Sequence, residues 1–221
     1  MERKIILTAD GSQTFFVPEL NEHFHSVHGA IQESMHVFIT SGLMGITKDE
    51  ICIFEVGFGT GLNALLTLAN KKPNQRIRYF TIEKYPLKPD EYNCLDYPRQ
   101  IDPKLEPAFQ LMLGSEWNLP VQIEPNFEFT KFHDDLTNFD FHGLPLFDLI
   151  YFDAFAPGKQ QEMWTDALFS KLAAHTKAGG IFVTYCAQGE VRRSLIRSGF
   201  NMKRIQGPPG KKEMLFGEKC G

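Results

Sequence analysis

Gly57, Gly59 and Gly61 alternate along Glu55-Val56-Gly57-Phe58-Gly59-Thr60-Gly61-Leu62-Asn63, where an apolar run over 51–56 gives way to helical spacing over 62–71. Glycines so placed let the chain turn tightly and let a ligand lie against the backbone with no Cβ between them. Three within five residues cost conformational entropy that a plain turn does not require, which points to a bound nucleoside-type cofactor. A dinucleotide fingerprint needs glycine or alanine at position 62, which is Leu62, and no Lys-Ser or Lys-Thr pair follows to make a phosphate loop. The form that remains, E-x-G-x-G-x-G, is the one associated with S-adenosylmethionine, whose uncharged ribose and methionine need room and no phosphate cradle. Cofactor contact is therefore assigned to Glu55, Gly57, Phe58, Gly59 and Gly61.

Carboxylates follow at three places where their spacing matters. Glu83 lies 22 residues beyond Gly61, at the end of the next apolar run, where an acid is placed to accept both ribose hydroxyls. Asp134 and Asp135 follow the run Phe127–Phe132; Asp134 is assigned to the adenine amino group, with a helix N-cap as the plain alternative for either. Asp153 opens the loop Asp153-Ala154-Phe155-Ala156-Pro157-Gly158-Lys159 after a fourth apolar run. In an open α/β sheet that loop faces the glycine loop, so Asp153 points at the reacting centre, able to position an amine and receive its proton. The plain alternative for Asp153 is a helix cap. Phe155 and Pro157 are candidates for an apolar wall against a planar base, with Lys159 beside them. His25, Ser26, His28, Glu33, Ser34 and His36 either line the cofactor site or form the wet face of an amphipathic helix.

The elements that must position these residues can be read from periodicity. Lys4–Val17 holds two β-rich runs around Asp10-Gly11, the signature of a hairpin with a two-residue primed turn. Ile31, Met35, Phe38 and Ile39 predict a helix over 29–42. Strands are predicted at 51–56, 76–82, 146–152 and 180–185, alternating with helices at 62–71, 165–175 and 191–198, the pattern of a parallel sheet covered on both faces. Seven of the thirteen prolines fall between Pro86 and Pro125, which predicts an irregular insertion with a helix near 107–113. The expected organisation is an α/β, Rossmann-like domain over 46–221 carrying an N-terminal hairpin and helix extension over 1–45.

Composition narrows the class. With 221 residues, 43% hydrophobic and 23% charged, the chain has the balance of a globular protein, excluding a collagen-like, disordered or disulfide-built one. No apolar stretch is long enough for a membrane span and the start lacks a secretion signal, so a cytoplasmic protein with no membrane partner is expected. Cys52, Cys94, Cys186 and Cys220 are isolated, which predicts reduced thiols and no metal. Twenty phenylalanines suggest a flat-faced core or a site for a planar ligand. Net charge is −4, yet residues 171–221 hold ten basic against three acidic side chains, including Arg192, Arg193, Lys203, Arg204, Lys211 and Lys212. That asymmetry fits a polyanion-facing edge; a solvated basic surface is the plain alternative.

Four stretches together resemble the methyltransferase domain of the MnmC family of tRNA 5-methylaminomethyl-2-thiouridine biosynthesis proteins: residues 25–39, the glycine loop 55–63, the run from Asp153 to Trp164, and Gly207-Pro208-Pro209-Gly210-Lys211-Lys212-Glu213-Met214-Leu215. The resemblance implies a class I S-adenosylmethionine-dependent methyltransferase sheet of seven strands, the last antiparallel. It also implies transfer of a methyl group to the primary amine of 5-aminomethyl(-2-thio)uridine at the tRNA wobble position, with cofactor contact at Gly57, Gly59 and Glu83 and an active-site role for Asp153. Lys211 and Lys212 are expected at the tRNA. The bifunctional members of the family also carry a flavin-dependent oxidase domain that removes a carboxymethyl group, for which 221 residues leave no room, so either a separate enzyme supplies the free amine or the substrate differs. A small-molecule amine methyltransferase or aminopropyltransferase-like enzyme is the alternative, and a non-catalytic nucleoside-binding module a third reading.

Overall fold

A computed structural model of the chain describes residues 2–221. The first β-rich runs form a hairpin of β1 (Lys4–Leu7) and β2 (Gln13–Val17), widened to a three-stranded sheet by β3 (Glu22–His23). The expected two-residue turn is absent: β1 and β2 part after the Leu7–Gln13 pair, and residues 8–12 make a broader loop. Asp10 explains the difference, because its carboxylate accepts from Ser12 N (3.0 Å) within the loop and from Gln32 N (3.0 Å) in the first turn of the next helix. That helix, α1 (Ala30–Ser34), runs on into a π-helical turn over Met35–Thr40. The wider turn carries three consecutive side chains, Val37, Phe38 and Ile39, into the core.

The alternation of apolar runs and helical segments then builds β4 (Glu50–Val56), α2 (Leu62–Asn70) and β5 (Arg76–Glu83). The proline-rich insertion folds as three short helices, α3 (Pro89–Tyr92), α4 (Tyr97–Ile101) and α5 (Glu106–Gly114), followed by β6 (Pro120–Glu124). After it come β7 (Phe127–His133), β8 (Phe147–Phe152), α6 (Asp166–Ala174), β9 (Thr176–Thr184), α7 (Gly189–Arg197), β10 (Phe200–Gln206) and β11 (Glu213–Lys219). The strands form one sheet in the order β10-β11-β9-β8-β4-β5-β7-β6. Seven of the eight make the expected sheet with its antiparallel final strand; the eighth, β6, pairs antiparallel with β7 at the outer edge. Its alternating half-exposed residues and leading proline suit an edge position.

Each face of the sheet packs its own aromatic-rich layer. One layer joins Phe38 of the π-helical turn, Leu65 of α2 and Phe109 of α5 to Tyr79 and Phe129 of the sheet. The other joins Phe54, Phe152 and Phe182 to Phe169 of α6 and Leu195 of α7. The strand order reverses between β4 and β8, so the loops leaving those two strands face each other across the carboxyl edge, where an α/β sheet binds ligands.

At the opposite edge Asp148, with 1% of its side chain exposed, accepts from Cys52 N (3.0 Å) and pairs with Lys48 and Lys177 (2.7 Å each). These charge-assisted bonds hold its pKa below the ordinary carboxylate value against the opposing effect of burial. Replacing both Lys48 and Lys177 by Met leaves that buried charge uncompensated. Urea unfolding should show a loss of about 3 kcal/mol, largely recovered when Asp148→Asn is added; no recovery would place the cost in lost lysine packing instead.

Candidate active site

The three glycines of the β4–α2 loop all adopt positive φ, at 90°, 51° and 77° for Gly57, Gly59 and Gly61, a region costly for other residues. At Gly57 the space is closed as well: a Cβ would stand 2.7 Å from the backbone oxygen of Asp153. At Gly59 a Cβ would meet the ring of Phe24 at 3.3 Å, so the β3 end of the N-terminal extension lies directly against the glycine loop. Gly61 is the N-cap of α2, facing Phe58 and Leu113.

Above this loop opens a cleft of about 530 Å³. That size suits a small-molecule ligand. Of the residues singled out from sequence, Gly57, Phe58, Gly59, Glu83, Asp134, Asp153, Phe155 and Lys211 line it. Glu55, Gly61, Pro157, Lys159 and Lys212 are not on its wall. Lys159 and Lys212 are exposed to solvent, and Glu55 lies wholly beneath the loop. The polar cluster ahead of β4 divides: His25, Ser26, His28 and Glu33 line the cleft, whereas His36 contacts the carbonyl of Gln206 (2.9 Å). His25 is buried against Thr14 Oγ1 (3.0 Å) and burial lowers its pKa to about 4, so it is a neutral wall residue.

Glu83 sits at the end of β5 with one carboxylate oxygen accepting from Gly59 N (3.1 Å) and the other from Tyr85 N (2.7 Å). Beyond β7, Asp135 is occupied by Lys84 (2.8 Å) and by the hydroxyl of Thr137 (2.7 Å). Asp134 accepts only from the amide of Asp135 among the described residues, leaving its carboxylate open to a ligand.

Asp153 lies deep in the cleft, and burial pushes its pKa up to about 7. Asn63, in the first turn of α2, donates to its Oδ2 (2.9 Å) and opposes that rise, while the charges of Glu33 and Lys211 act in opposite directions. The loop after Asp153 is held by Gln160, whose side chain accepts from Phe155 N (3.1 Å), and by Trp164, whose indole donates to Phe155 O (2.8 Å). Phe155 meets Phe24 edge to face, with ring centroids 5.4 Å apart, so the apolar wall expected from Phe155 is completed by Phe24 rather than by Pro157. Sequence patterning did not single out Phe24, Asn63 or Tyr185. Their only local signals are an aromatic after a short strand, an asparagine in a first helical turn and a tyrosine at the end of an apolar run.

The cleft suits a nucleoside carrying an amino-acid tail. An acid stands at the strand end next to the glycine loop, and the open carboxylate of Asp134 lies beyond the neighbouring strand on the same cleft wall. Among those residues no group of three or more His, Cys, Asp or Glu side chains is arranged to hold a metal ion, and no helix is long and apolar enough to cross a membrane.

Residues 121–220 match the family described as S-adenosyl-L-methionine-dependent methyltransferase. The chain belongs to that class. The structure is similar to that of MnmC2 from Aquifex aeolicus, with a TM-score of 0.77 and 25% identity over 98% of this chain and 70% of the other. It is 31% identical over 91% of its length to the tRNA 5-methylaminomethyl-2-thiouridine biosynthesis bifunctional protein MnmC of Aeromonas hydrophila, and 28% identical over 96% to that of Paraburkholderia xenovorans. Within the class its similarity runs to the methyltransferase part of the MnmC proteins. The chain spans about one third of the length of those two relatives, 33% and 34%.

Glu55 makes a prediction of its own. Neither carboxyl oxygen has a hydrogen-bond partner among the described residues, and Thr81, Asn63 and Tyr79 face it without offsetting burial, which raises its pKa to about 8. The unfolded chain ionises near 4.5, so stability is full below that pH and declines as pH rises toward about 8, where the folded state also ionises. Glu55→Gln keeps the shape and never ionises. Its stability relative to the parent should grow between pH 5 and pH 8 by on the order of 3 kcal/mol in urea unfolding. A pH-independent difference would mean that Glu55 is already paired and charged.

Proposed function

We propose that the protein methylates the primary amine of 5-aminomethyl(-2-thio)uridine at the wobble position of tRNA, using S-adenosylmethionine. The observation that carries this reading is Asp153, a carboxylate with a pKa raised to about 7, fixed by Asn63 at the floor of the cleft. S-adenosylmethionine, when bound, supplies an electrophilic sulfonium methyl group. The chain's own residues must then deliver a nitrogen lone pair, and an alkylamine at neutral pH is mostly an ammonium ion with none. Asp153 in its ionised form attracts that ammonium into the cleft and takes its proton. Asn63 holds the accepting carboxylate in one orientation, and positioning of this kind contributes to rate beyond proton transfer itself. Phe24 and Phe155 keep water from the nitrogen and offer an apolar face to the uracil ring.

The basic outer edge supports a polyanionic substrate. Arg192 and Arg193 of α7 and Arg204 of β10 border a shallow depression, and Lys203 and Lys212 are exposed elsewhere on the basic C-terminal part of the chain. Arg193 is partly neutralised by Glu190 (2.7 Å), and Lys211, expected on this edge, is turned into the cleft instead. A tRNA substrate places the protein in the cytoplasm. Its chemistry also requires an enzyme that exposes the free aminomethyl group, by removing a carboxymethyl substituent or by building the amine directly.

The test joins substrate and mechanism. Labelled S-adenosylmethionine should transfer its methyl group to tRNA carrying aminomethyluridine and not to polyamines; the reverse would favour the small-molecule amine reading. With tRNA, kcat/KM should rise with pH through about 7 as Asp153 ionises. Asp153→Asn should abolish that limb and lower turnover by about 10²- to 10⁴-fold, with partial recovery at higher pH where solvent supplies neutral amine. If the variant instead bound S-adenosylhomocysteine poorly and turned over normally at saturation, Asp153 would be a cofactor ligand.

A further inference from the structure

On the far side of the cleft, three segments distant in sequence meet without a part in the mechanism above. Glu33 of α1 pairs with Lys211 at 2.6 Å, and the Lys211 ammonium stands 3.9 Å above the ring of Tyr185, just past β9. Glu33 also accepts from Ser26 N (2.6 Å), and Tyr185 donates its hydroxyl to Ala154 O (2.8 Å), next to Asp153. The turn that delivers Lys211 is pressed onto the N-terminal segment, since Gly210 lies so close to the His28 ring that a Cβ there would collide with it. All three side chains line the same cleft as the glycine loop.

The direction of a bound nucleoside follows from the strand order. Glu83 ends β5 and Asp134 follows β7, both on one side of β4, whereas Asp153 and Tyr185 follow β8 and β9 on the other. A cofactor with its ribose at Glu83 and its base toward Asp134 must send its remaining end across β4 toward Tyr185. In S-adenosylmethionine that end is an α-amino acid, a carboxylate and an ammonium on one carbon. Lys211 has three N–H donors, of which one goes to Glu33 and another faces the Tyr185 ring; the third has no partner among the described residues. The Glu33 carboxylate, with two bonds received, still has lone pairs to accept from an ammonium.

We propose that the Glu33–Lys211 pair is the receptor for the amino-acid end of S-adenosylmethionine, with Lys211 taking the α-carboxylate, Glu33 the α-ammonium, and Tyr185 holding Lys211 in place. The proposal rests on the cofactor reading and is independent of the tRNA substrate. A zwitterion matches the pair because each new bond joins opposite charges, and such bonds are stronger than neutral ones. The aromatic face below Lys211 adds attraction that does not compete with the carboxylate.

The test is calorimetric titration of the full chain with S-adenosylhomocysteine and with 5′-methylthioadenosine, which has the same nucleoside and thioether but no amino-acid end. The parent protein should bind S-adenosylhomocysteine the more tightly. Lys211→Met and Glu33→Gln should each weaken S-adenosylhomocysteine by about 10- to 100-fold while leaving 5′-methylthioadenosine unchanged. Lys211→Arg, which keeps the cation, should retain most of the affinity. Equal weakening of both ligands would overturn the proposal in favour of a structural strut, and unchanged affinity for both with a raised KM for tRNA would move the pair to the substrate. A parent protein that bound neither nucleoside would overturn the cofactor reading and this proposal together, whatever its action on RNA.

Discussion

The carboxyl ends of β4, β5 and β8 stay locked together one residue beyond the strands, and the geometry of the cleft descends from that lock. Gly57 N donates to Ile82 O (3.0 Å) and Asp153 N donates to Val56 O (2.9 Å), so the loops leaving β4 and β8 begin in contact. No side chain fits between them at position 57. The glycine loop must then turn away at once, which starts α2 close enough for Asn63 to reach Asp153. A wider separation would leave Asp153 without that donor and open the floor of the cleft to water. Backbone contact thus sets the position of the carboxylate to which the proposed chemistry is assigned.

That position has an electrostatic cost which the interior settles by protonation. Glu55 and Asp153 lie on either side of Asn63, and burial raises both pKa values, Glu55 to about 8 and Asp153 to about 7. Two ionised carboxylates sharing a desolvated region repel, so the deeper one is the better candidate to stay neutral. With Glu55 uncharged at neutral pH, ionisation of Asp153 is opposed mainly by its own burial and by Glu33. Lys211, paired with Glu33, offsets that second charge. An acid that looks from sequence like a cofactor contact therefore sits where it bears on the charge of its neighbour.

Features carried by adjacent residues were legible in the sequence, whereas those that depend on distant segments were not. The glycine spacing, the strand-end acids Glu83 and Asp153 and the alternation of apolar runs with helices are local patterns, and the sheet follows from them. The π-helical turn and β6 escaped because their signals are weak: one is a helix with a wider turn, the other a half-exposed edge strand that begins with proline. Asp10 misled on the hairpin turn because its carboxylate is engaged by Gln32, a residue no local rule connects to it. Lys211 misled in the same way. A run of two lysines reads as a basic surface, and only the fold shows that one points inward to Glu33 while the other faces solvent.

The cleft is thus assembled from two sources that differ in kind. Its floor comes from β4, β5 and β8 and their loops, rigid through ladder hydrogen bonds and two aromatic layers. Its far wall comes from outside the alternating βα units: Phe24 and Glu33 from the N-terminal extension, and Lys211 from the turn between β10 and β11. Those two peripheral segments hold each other through the Lys211–Glu33 pair, the close packing of Gly210 on His28 and the His36 contact with Gln206. Neither segment completes the wall by itself, because the ion pair requires both. On the proposed reading, the groups that recognise the ligand are therefore assembled only when the N-terminal extension and the β10–β11 turn have folded onto the same sheet edge, which would tie binding competence to completion of the whole fold.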